Sequence, residues 1–257
     1  MIDTPAPLYG LPDRSNASPA VSVVVPMHNE EGNAVVLVRE IAKALDGHDF
    51  EIITVDDAST DATQGNLAAA RTEIPQLRVL AHAHNAGQSR AVRTGILAAR
   101  APIIATLDGD GQNPPGEIPA MIAQLTRDGA PALLSMVAGE RQKRQDSQAK
   151  LLASRWANGI RKSLLKDDAN DTGCGLKVFY RDAFLRLPYF DHIHRYLPAL
   201  MTREGYEVEF APVSHRSREH GQSKYTNFGR AAVAIRDLIG VTWLIARSRK
   251  PVAIKEL

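Results

Sequence analysis

Two aspartates two residues apart, Asp108 and Asp110, close an apolar run and lead into Gly111-Gln112-Asn113-Pro114-Pro115. In an extended chain residues i and i+2 point the same way, so both carboxylates share one face. A pair of hard oxygen ligands suits Mg2+ or Mn2+, which take the rest of their shell from waters and phosphates. Gln112 continues the alternation and offers an amide oxygen. The competing reading is an Asx-turn ahead of a proline-started helix, which needs only one aspartate. Three more polar clusters follow apolar runs: Pro26-Met27-His28-Asn29-Glu30-Glu31, Asp56-Asp57-Ala58-Ser59-Thr60-Asp61-Ala62-Thr63 and Asn85-Ala86-Gly87-Gln88. Capping alone does not explain four such clusters in order.

The elements that must position these residues follow from periodicity. A continuous apolar run at 21–25 predicts a strand buried on both faces, and short β-branched or apolar-rich runs at 51–55, 77–81, 102–107 and 132–137 predict four more strands. Helical spacing between them predicts helices near 31–45, 62–71, 88–100 and 116–127. Asp61 suits an N-cap, and Pro114 and Pro115 suit a helix entry. This alternation predicts an α/β fold: a mostly parallel sheet flanked by helices, with ligands at the carboxyl ends of the strands. The second half predicts a basic helix at 147–165, strands at 176–180 and 207–213, a helix near 196–204 and a last helix from about 226 to 247. Neither G-x-G-x-x-G after the first strand nor G-x-x-x-x-G-K-[ST] is present, which argues against a dehydrogenase and a P-loop ATPase.

Composition narrows the classes further. The 257 residues are 44% hydrophobic and 23% charged, enough apolar residues for an ordinary core. A net charge of +2 is too small to imply nucleic-acid binding, and none is expected. The charge is unevenly spread: between residues 141 and 166 eight basic residues face one acid, Asp146. Such a strip suits an anionic ligand or surface, or simply a solvated helix face. Cys174 is the only cysteine, so an intramolecular disulfide is impossible and a reducing compartment is expected. Residues 1–20, with Pro5, Pro7, Pro12 and Pro19, read as a disordered leader, and no run approaches the roughly 20 apolar residues of a spanning helix. His82 with His84, and His192 with His194, are weak metal candidates for want of a third ligand. Cys174, between Gly173 and Gly175, reads as a packed residue rather than a nucleophile.

Taken together, P-M-H-N-E-E, D-D-A-S-T-D-A-T and D-G-D-G-Q-N-P-P resemble the family 2 glycosyltransferases of the GT-A fold. The chain looks most similar to the dolichol-phosphate mannose synthase branch and its bacterial undecaprenyl-phosphate relatives. The resemblance runs from about residue 21 to 225 and takes in the stretches 139–146, 171–177, 194–199 and 215–225. It departs at Gly109, where alanine is common, and at Gly111, where leucine is common; both are expected to loosen the metal loop. The resemblance implies a Rossmann-like nucleotide-diphospho-sugar transferase domain at 21–225, followed by an amphipathic interface helix and tail at 226–257. It implies that Pro26, His28, Glu30, Val55 and Asp57 hold the base and ribose. Asp108, Asp110 and Gln112 would hold the metal and diphosphate. Arg141 would sit beside donor and acceptor phosphate, Arg218 and Lys224 would close over the diphosphate, and Asp171 would orient acceptor or sugar.

The activity implied is inverting transfer of a sugar from a UDP- or GDP-sugar to a polyprenyl phosphate, a cell-envelope type of reaction. A phosphate monoester has its second pKa near 6 and is mostly a dianion at pH 7, so it needs little help from a base. Two other readings are transfer to a sugar hydroxyl of a polysaccharide or protein, which needs a positioned carboxylate base, and a non-catalytic nucleotide-sugar-binding module. Phe228, Ala231, Ala232, Ile235, Leu238, Ile239 and Ile245 fall on one helical face, flanked by basic residues and Trp243. A second face, Leu151, Leu152, Trp156, Ile160 and Leu164, carries Arg155, Arg161 and Lys162. These faces are expected to lie on an anionic membrane surface, placing the protein peripherally on the cytoplasmic face. Packing on the core, a second copy of the chain or a small membrane protein are the other occupants considered.

Overall fold

The computed structural model describes residues 19–142, 159, 161–165, 167–216 and 227–248, the side chains of 227–232 excepted. The leader, apart from residues 19 and 20, most of the basic strip, and Arg218 and Lys224 lie outside them.

The first half alternates strand and helix: β1 (Val21–Met27), α1 (Ala34–Ala44), β2 (Phe50–Asp56), α2 (Thr63–Ala70), β3 (Leu77–Ala81), α3 (Gln88–Ala98), β4 (Ile103–Thr106), α4 (Ile118–Thr126) and β5 (Leu134–Arg141). The second half supplies β6 (Lys177–Tyr180), α5 (Arg181–Leu185), α6 (Leu197–Arg203), β7 (Glu207–Val213) and α7 (Asn227–Arg247). Every residue of β2 and β4 is buried, as continuous apolar runs require when both sheet faces are covered. Below the sheet Leu37, Val38 and Ile41 of α1, Leu67 of α2 and Met121 and Leu125 of α4 fill one apolar layer. Above it Val92 and Ile96 of α3, Phe184 of α5, Leu200 and Met201 of α6 and Val241 of α7 fill the other. Asp61, the expected cap of α2, stands one residue ahead of the observed one, Ala62. Its Oδ1 accepts from the Thr63 N–H at 3.0 Å and the Thr63 hydroxyl at 2.6 Å, opening α2 by a local turn.

Strand order is β3-β2-β1-β4-β6-β5-β7. The expected parallel pairing holds for β1–β2, β1–β4, β2–β3 and β5–β7. The exception is β6, which runs antiparallel between β4 and β5. Because it is reversed, its first residue, Lys177, pairs with Thr106 at the carboxyl end of β4. The chain entering β6, residues 171–176, therefore lies at the edge where β1, β2 and β4 also end.

A candidate nucleotide-sugar site at the strand ends

β1 and β2 run in register, with Pro26 opposite Val55 and Met27 opposite Asp56. Their exits form one hydrogen-bonded platform. Asn29 and Ala58 both take left-handed backbone, at φ 54° and 58°. The Asn29 N–H donates to Ser59 Oγ at 2.9 Å, and Asn29 Oδ1 accepts from the Thr60 N–H at 2.8 Å. The Glu30 N–H donates to Thr63 Oγ1 at 2.8 Å. Left-handed conformations in non-glycine residues are sparsely populated and concentrate where surroundings over-determine a binding loop. His28 Nδ1 lies 2.9 Å from the Asp57 carbonyl. Val55 is fully buried, so what it offers a ligand is main chain.

Asp57 is the organiser of this platform. Its Oδ1 accepts from the Ala86 N–H at 2.9 Å and its Oδ2 from the Gly87 N–H at 2.8 Å. His82 Nδ1 is 2.7 Å from Oδ1, while His82 Nε2 meets Thr94 Oγ1 at 2.9 Å. Burial alone would raise the Asp57 pKa, but the two amides and His82 more than offset it and hold the carboxyl below its ordinary range. The β3–α3 loop is thereby tied to the end of β2, and His82 is spent on this task rather than on a metal.

The aspartate pair follows β4. Gln88 Nε2, at the start of α3, donates to Asp108 Oδ1 at 2.7 Å. Asp110 Oδ1 accepts from the Gln112 N–H at 3.1 Å. Burial, and then the Asp110 charge, push the Asp108 carboxyl up to about 6, against the pull of Lys177, Arg141 and the Gln88 bond. Two mutually repelling carboxylates at a strand end are what a divalent cation relieves. Among the described residues no third His, Cys, Asp or Glu joins them, so the rest of a cation's shell would come from diphosphate, water or Gln112. The donor set fits Mg2+ or Mn2+ held together with a nucleotide. Gln112 is itself clasped to the segment after β7: its Nε2 donates to the Arg216 carbonyl at 3.4 Å, and its carbonyl accepts from the Arg216 N–H at 2.9 Å.

The two glycines of this loop do not loosen it as expected. A β-carbon on Gly109 would stand 2.7 Å from both Met27 Sδ and the Pro26 carbonyl, so glycine is what lets the loop lie against β1. Gly111 sits at φ 71°, where other residues are strained.

Across from the pair, Arg141 at the end of β5 forks onto Asp171. Nε donates to Oδ2 at 2.5 Å and an Nη2 hydrogen to Oδ1 at 2.7 Å. This bidentate bond raises the Arg141 pKa, and both side chains are largely buried. Asp171 therefore holds Arg141. Cys174 is 1% exposed, and burial raises its thiol pKa, as befits a packing residue. The Thr106 hydroxyl donates to the Gly175 carbonyl at 2.9 Å, fixing the turn against β4.

Sequence reasoning assigned no role to three neighbours. Gln88 was visible only as a loop amide. Ser89 Oγ lies 2.7 Å from His194 Nδ1, a contact across 105 positions that no local signal carries. Lys177 lies buried in β6, near enough to Asp108 for their charges to interact, and its one mark in the sequence is a charge inside an apolar strand. Arg161, counted with the surface strip, points inward instead, to Asp167 Oδ2 at 2.7 Å and to the Ala169 carbonyl.

Comparison with known proteins agrees with this geometry. Residues 22–187 match the glycosyl transferase family 2. Dodecaprenyl-phosphate galacturonate synthase of Rhizobium johnstonii is 34% identical over 240 residues, 90% of this chain and 69% of its own length. Undecaprenyl-phosphate 4-deoxy-4-formamido-L-arabinose transferase of Enterobacter sp. is 33% identical over 223 residues, 85% of this chain and 66% of its own. The chain thus spans about two thirds of the length of these relatives. Among solved structures, glucosyl-3-phosphoglycerate synthase of Mycobacterium tuberculosis in complex with UDP superposes with a TM-score of 0.66 at 17% identity. That match covers 92% of this chain and 83% of that one. A mannosyltransferase of Pyrobaculum calidifontis in complex with GDP-Man and Mn2+ gives 0.62 at 18%, covering 97% and 68%. The fold is shared with these solved structures, the aspartates stand beyond the carboxyl edge of the sheet, and the chain belongs to glycosyl transferase family 2.

Proposed function

We propose that this protein transfers a sugar, with inversion, from a nucleoside diphosphate to the phosphate of a polyprenyl phosphate lipid. The observation that carries the choice of acceptor is the Arg141–Asp171 fork. A hydroxyl acceptor needs a carboxylate free to take its proton. Asp171, the acid facing the aspartate pair, is instead committed to a guanidinium, and a carboxylate so held is a weak base. A phosphate dianion needs no base, and it gains from the cation. The family relatives named above, both polyprenyl-phosphate enzymes, support the same reading.

In the reaction an oxygen of the acceptor phosphate forms a bond to the anomeric carbon from one side. The bond to the donor's diphosphate breaks on the other side, and the leaving nucleoside diphosphate keeps the electron pair; no proton has to move. A divalent cation, when bound at Asp108 and Asp110, supplies neutralisation of the diphosphate. Asp57 and the β1 and β2 exits would seat the nucleoside, with Pro26, His28, Glu30 and main chain at Val55 at hand. Arg141 would receive the acceptor phosphate. Arg218 and Lys224 would close over the diphosphate.

We further place the protein peripherally on the cytoplasmic face of the membrane, resting on α7. No helix among the described residues is long and apolar enough to span a bilayer. The apolar face of α7 differs from the one expected. Leu238 and Ile245 pack on the core with Val241, whereas Ile235, Ile239 and Trp243 are 60%, 65% and 62% exposed. Exposed Arg236 and Arg247 lie along this outer stripe. An apolar stripe edged by arginines suits an anionic bilayer surface.

The test is a panel of UDP- and GDP-sugars, with Mg2+ or Mn2+, offered to undecaprenyl phosphate and to sugar-hydroxyl acceptors, with product mass as the readout. A lipid-linked monosaccharide is the expected product. Transfer to hydroxyl acceptors alone would overturn the phosphate reading, and donor binding without turnover on any acceptor would favour a binding module.

A further inference from the structure

Lys177 is an anomaly in its strand. Its neighbours Val178 and Phe179 are fully buried, and Lys177 itself is only 4% exposed. In register it lies between Thr106 of β4 and Ala138 of β5, at the ligand edge of the sheet. An ammonium has three hydrogens to donate and no capacity to accept. Among the described residues, its hydrogen-bond acceptor is the Cys174 carbonyl. The acids nearest in charge, Asp108 and Asp171, are each engaged by another donor, Gln88 and Arg141. A lysine kept for packing or for structure would have acceptors on several sides, since leaving a buried ammonium short of partners is costly. A charge that breaks the pattern of an apolar strand is expected at a functional site.

The surroundings point to an anion. Burial lowers the Lys177 pKa, while Asp108 and Asp171 raise it and Arg141 lowers it. The imidazole closest to it in charge, His194, is held well below its usual range by burial, so it brings a neutral ring rather than a competing cation. Cys174, whose carbonyl the ammonium meets, lies between exposed Gly173 and half-buried Gly175. Arg141 lies on the other side of the same turn, against Gly173. Two cations thus flank one short loop beside the aspartate pair.

We infer that Lys177 contacts substrate, its ammonium donating to a phosphate oxygen of the reacting pair, either the donor's diphosphate or the acceptor's phosphate monoester. This rests on the proposed transfer to a lipid phosphate for its second arm only.

The experiment compares wild type with Lys177→Met and Lys177→Gln. Methionine fills the space without charge; glutamine keeps a donor for the Cys174 carbonyl. Three quantities are read: melting temperature, affinity for UDP and GDP with Mn2+ by calorimetry, and KM and kcat with undecaprenyl phosphate. Both variants are expected to fold and to melt close to the wild-type temperature, because the cost of burying the ammonium is removed while Asp108 and Asp171 lose a neighbouring cation. Both should lose about 10- to 100-fold, the scale of one charged hydrogen bond. Weaker nucleotide binding identifies the diphosphate as the partner, and a raised acceptor KM with unchanged nucleotide binding identifies the acceptor. Variants that fail to fold would show a structural lysine and overturn the inference. So would variants equal to wild type in affinity, KM and kcat. A wild type that never uses undecaprenyl phosphate refutes the proposed acceptor but leaves the nucleotide arm to decide on Lys177.

Discussion

Gly175→Ala is the sharpest perturbation the geometry offers. A β-carbon there would stand 2.4 Å from Asp108 Cγ, 2.4 Å from Oδ2 and 2.5 Å from Oδ1. All three carboxyl atoms are overrun, so rotating the carboxylate relieves nothing. Ordinary contact begins near 3.4 Å, so about 1 Å of displacement must come from Asp108 or from the turn. The turn has little room to give: Thr106 holds the Gly175 carbonyl at 2.9 Å, and the Gly139 N–H holds the Leu176 carbonyl at 3.0 Å. Asp108 is the part that moves, and with it the carboxylate proposed to hold the metal. A 1 Å misplacement at a reacting centre costs on the order of 100-fold. The assay is Mn2+-dependent nucleotide binding by calorimetry, with transfer measured alongside and circular dichroism to verify the fold. Gly65→Ala serves as the control. It lies in α2 with nothing within 4 Å of its added carbon, and should be neutral in function and more stable by about 0.5–1 kcal/mol. Wild-type metal and nucleotide affinity in Gly175→Ala would refute the assignment of Asp108 as a ligand held by this turn.

Three further outcomes follow from the same coordinates. With the Asp108 carboxyl raised to about 6, a proton competes with the cation below that pH. Mn2+-dependent nucleotide affinity should therefore fall by up to about tenfold per unit below pH 6, and a titration from pH 5 to 8 should show no such inflection in Asp108→Asn. Glu51, 5% exposed, accepts from Ser22 Oγ at 2.7 Å, Arg78 at 2.6 Å and the Arg100 N–H at 2.8 Å. These bonds outweigh burial and lower its pKa, so its stabilisation is present above the unfolded value of 4.5 and is lost as pH falls through the lower folded value. Glu51→Gln should cost on the order of 1.5–3 kcal/mol in urea unfolding at pH 7 and much less once the medium is acidic enough to protonate Glu51. Ile239→Glu, at a position 65% exposed, should leave melting unchanged and weaken binding to vesicles containing anionic lipid; wild-type binding that ignores both this change and added salt would turn the stripe over to a protein partner.

Much of this protein was legible along the chain. Buried strands announce themselves as continuous apolar runs, and the polar clusters that follow them, from Pro26 to Pro115, mark the ligand edge because α/β sheets bind at strand ends. Asp108 and Asp110 were paired by the two-residue period of a strand, but β4 ends at Thr106; the two stand in the turn beyond it, where Asp110 makes an Asx-type bond to the Gln112 N–H and their charges still meet. What the chain could not reveal is neighbourhood across the sheet. An apolar run does not state its direction, and β6 reads the same whether parallel or reversed; only its antiparallel place between β4 and β5 carries Lys177 and Asp171 to the aspartates. Nor does a carboxylate in a sequence state its partner. Asp57 and Asp171 read alike along the chain, yet one also accepts from the Ala86 and Gly87 amides and the other from a guanidinium, each about 30 residues away. Helical spacing likewise placed the apolar residues of α7 without saying which stripe the core would take. Periodicity is a local property of the chain. Burial, pairing and charge neutralisation are settled between segments, and tertiary packing decided them.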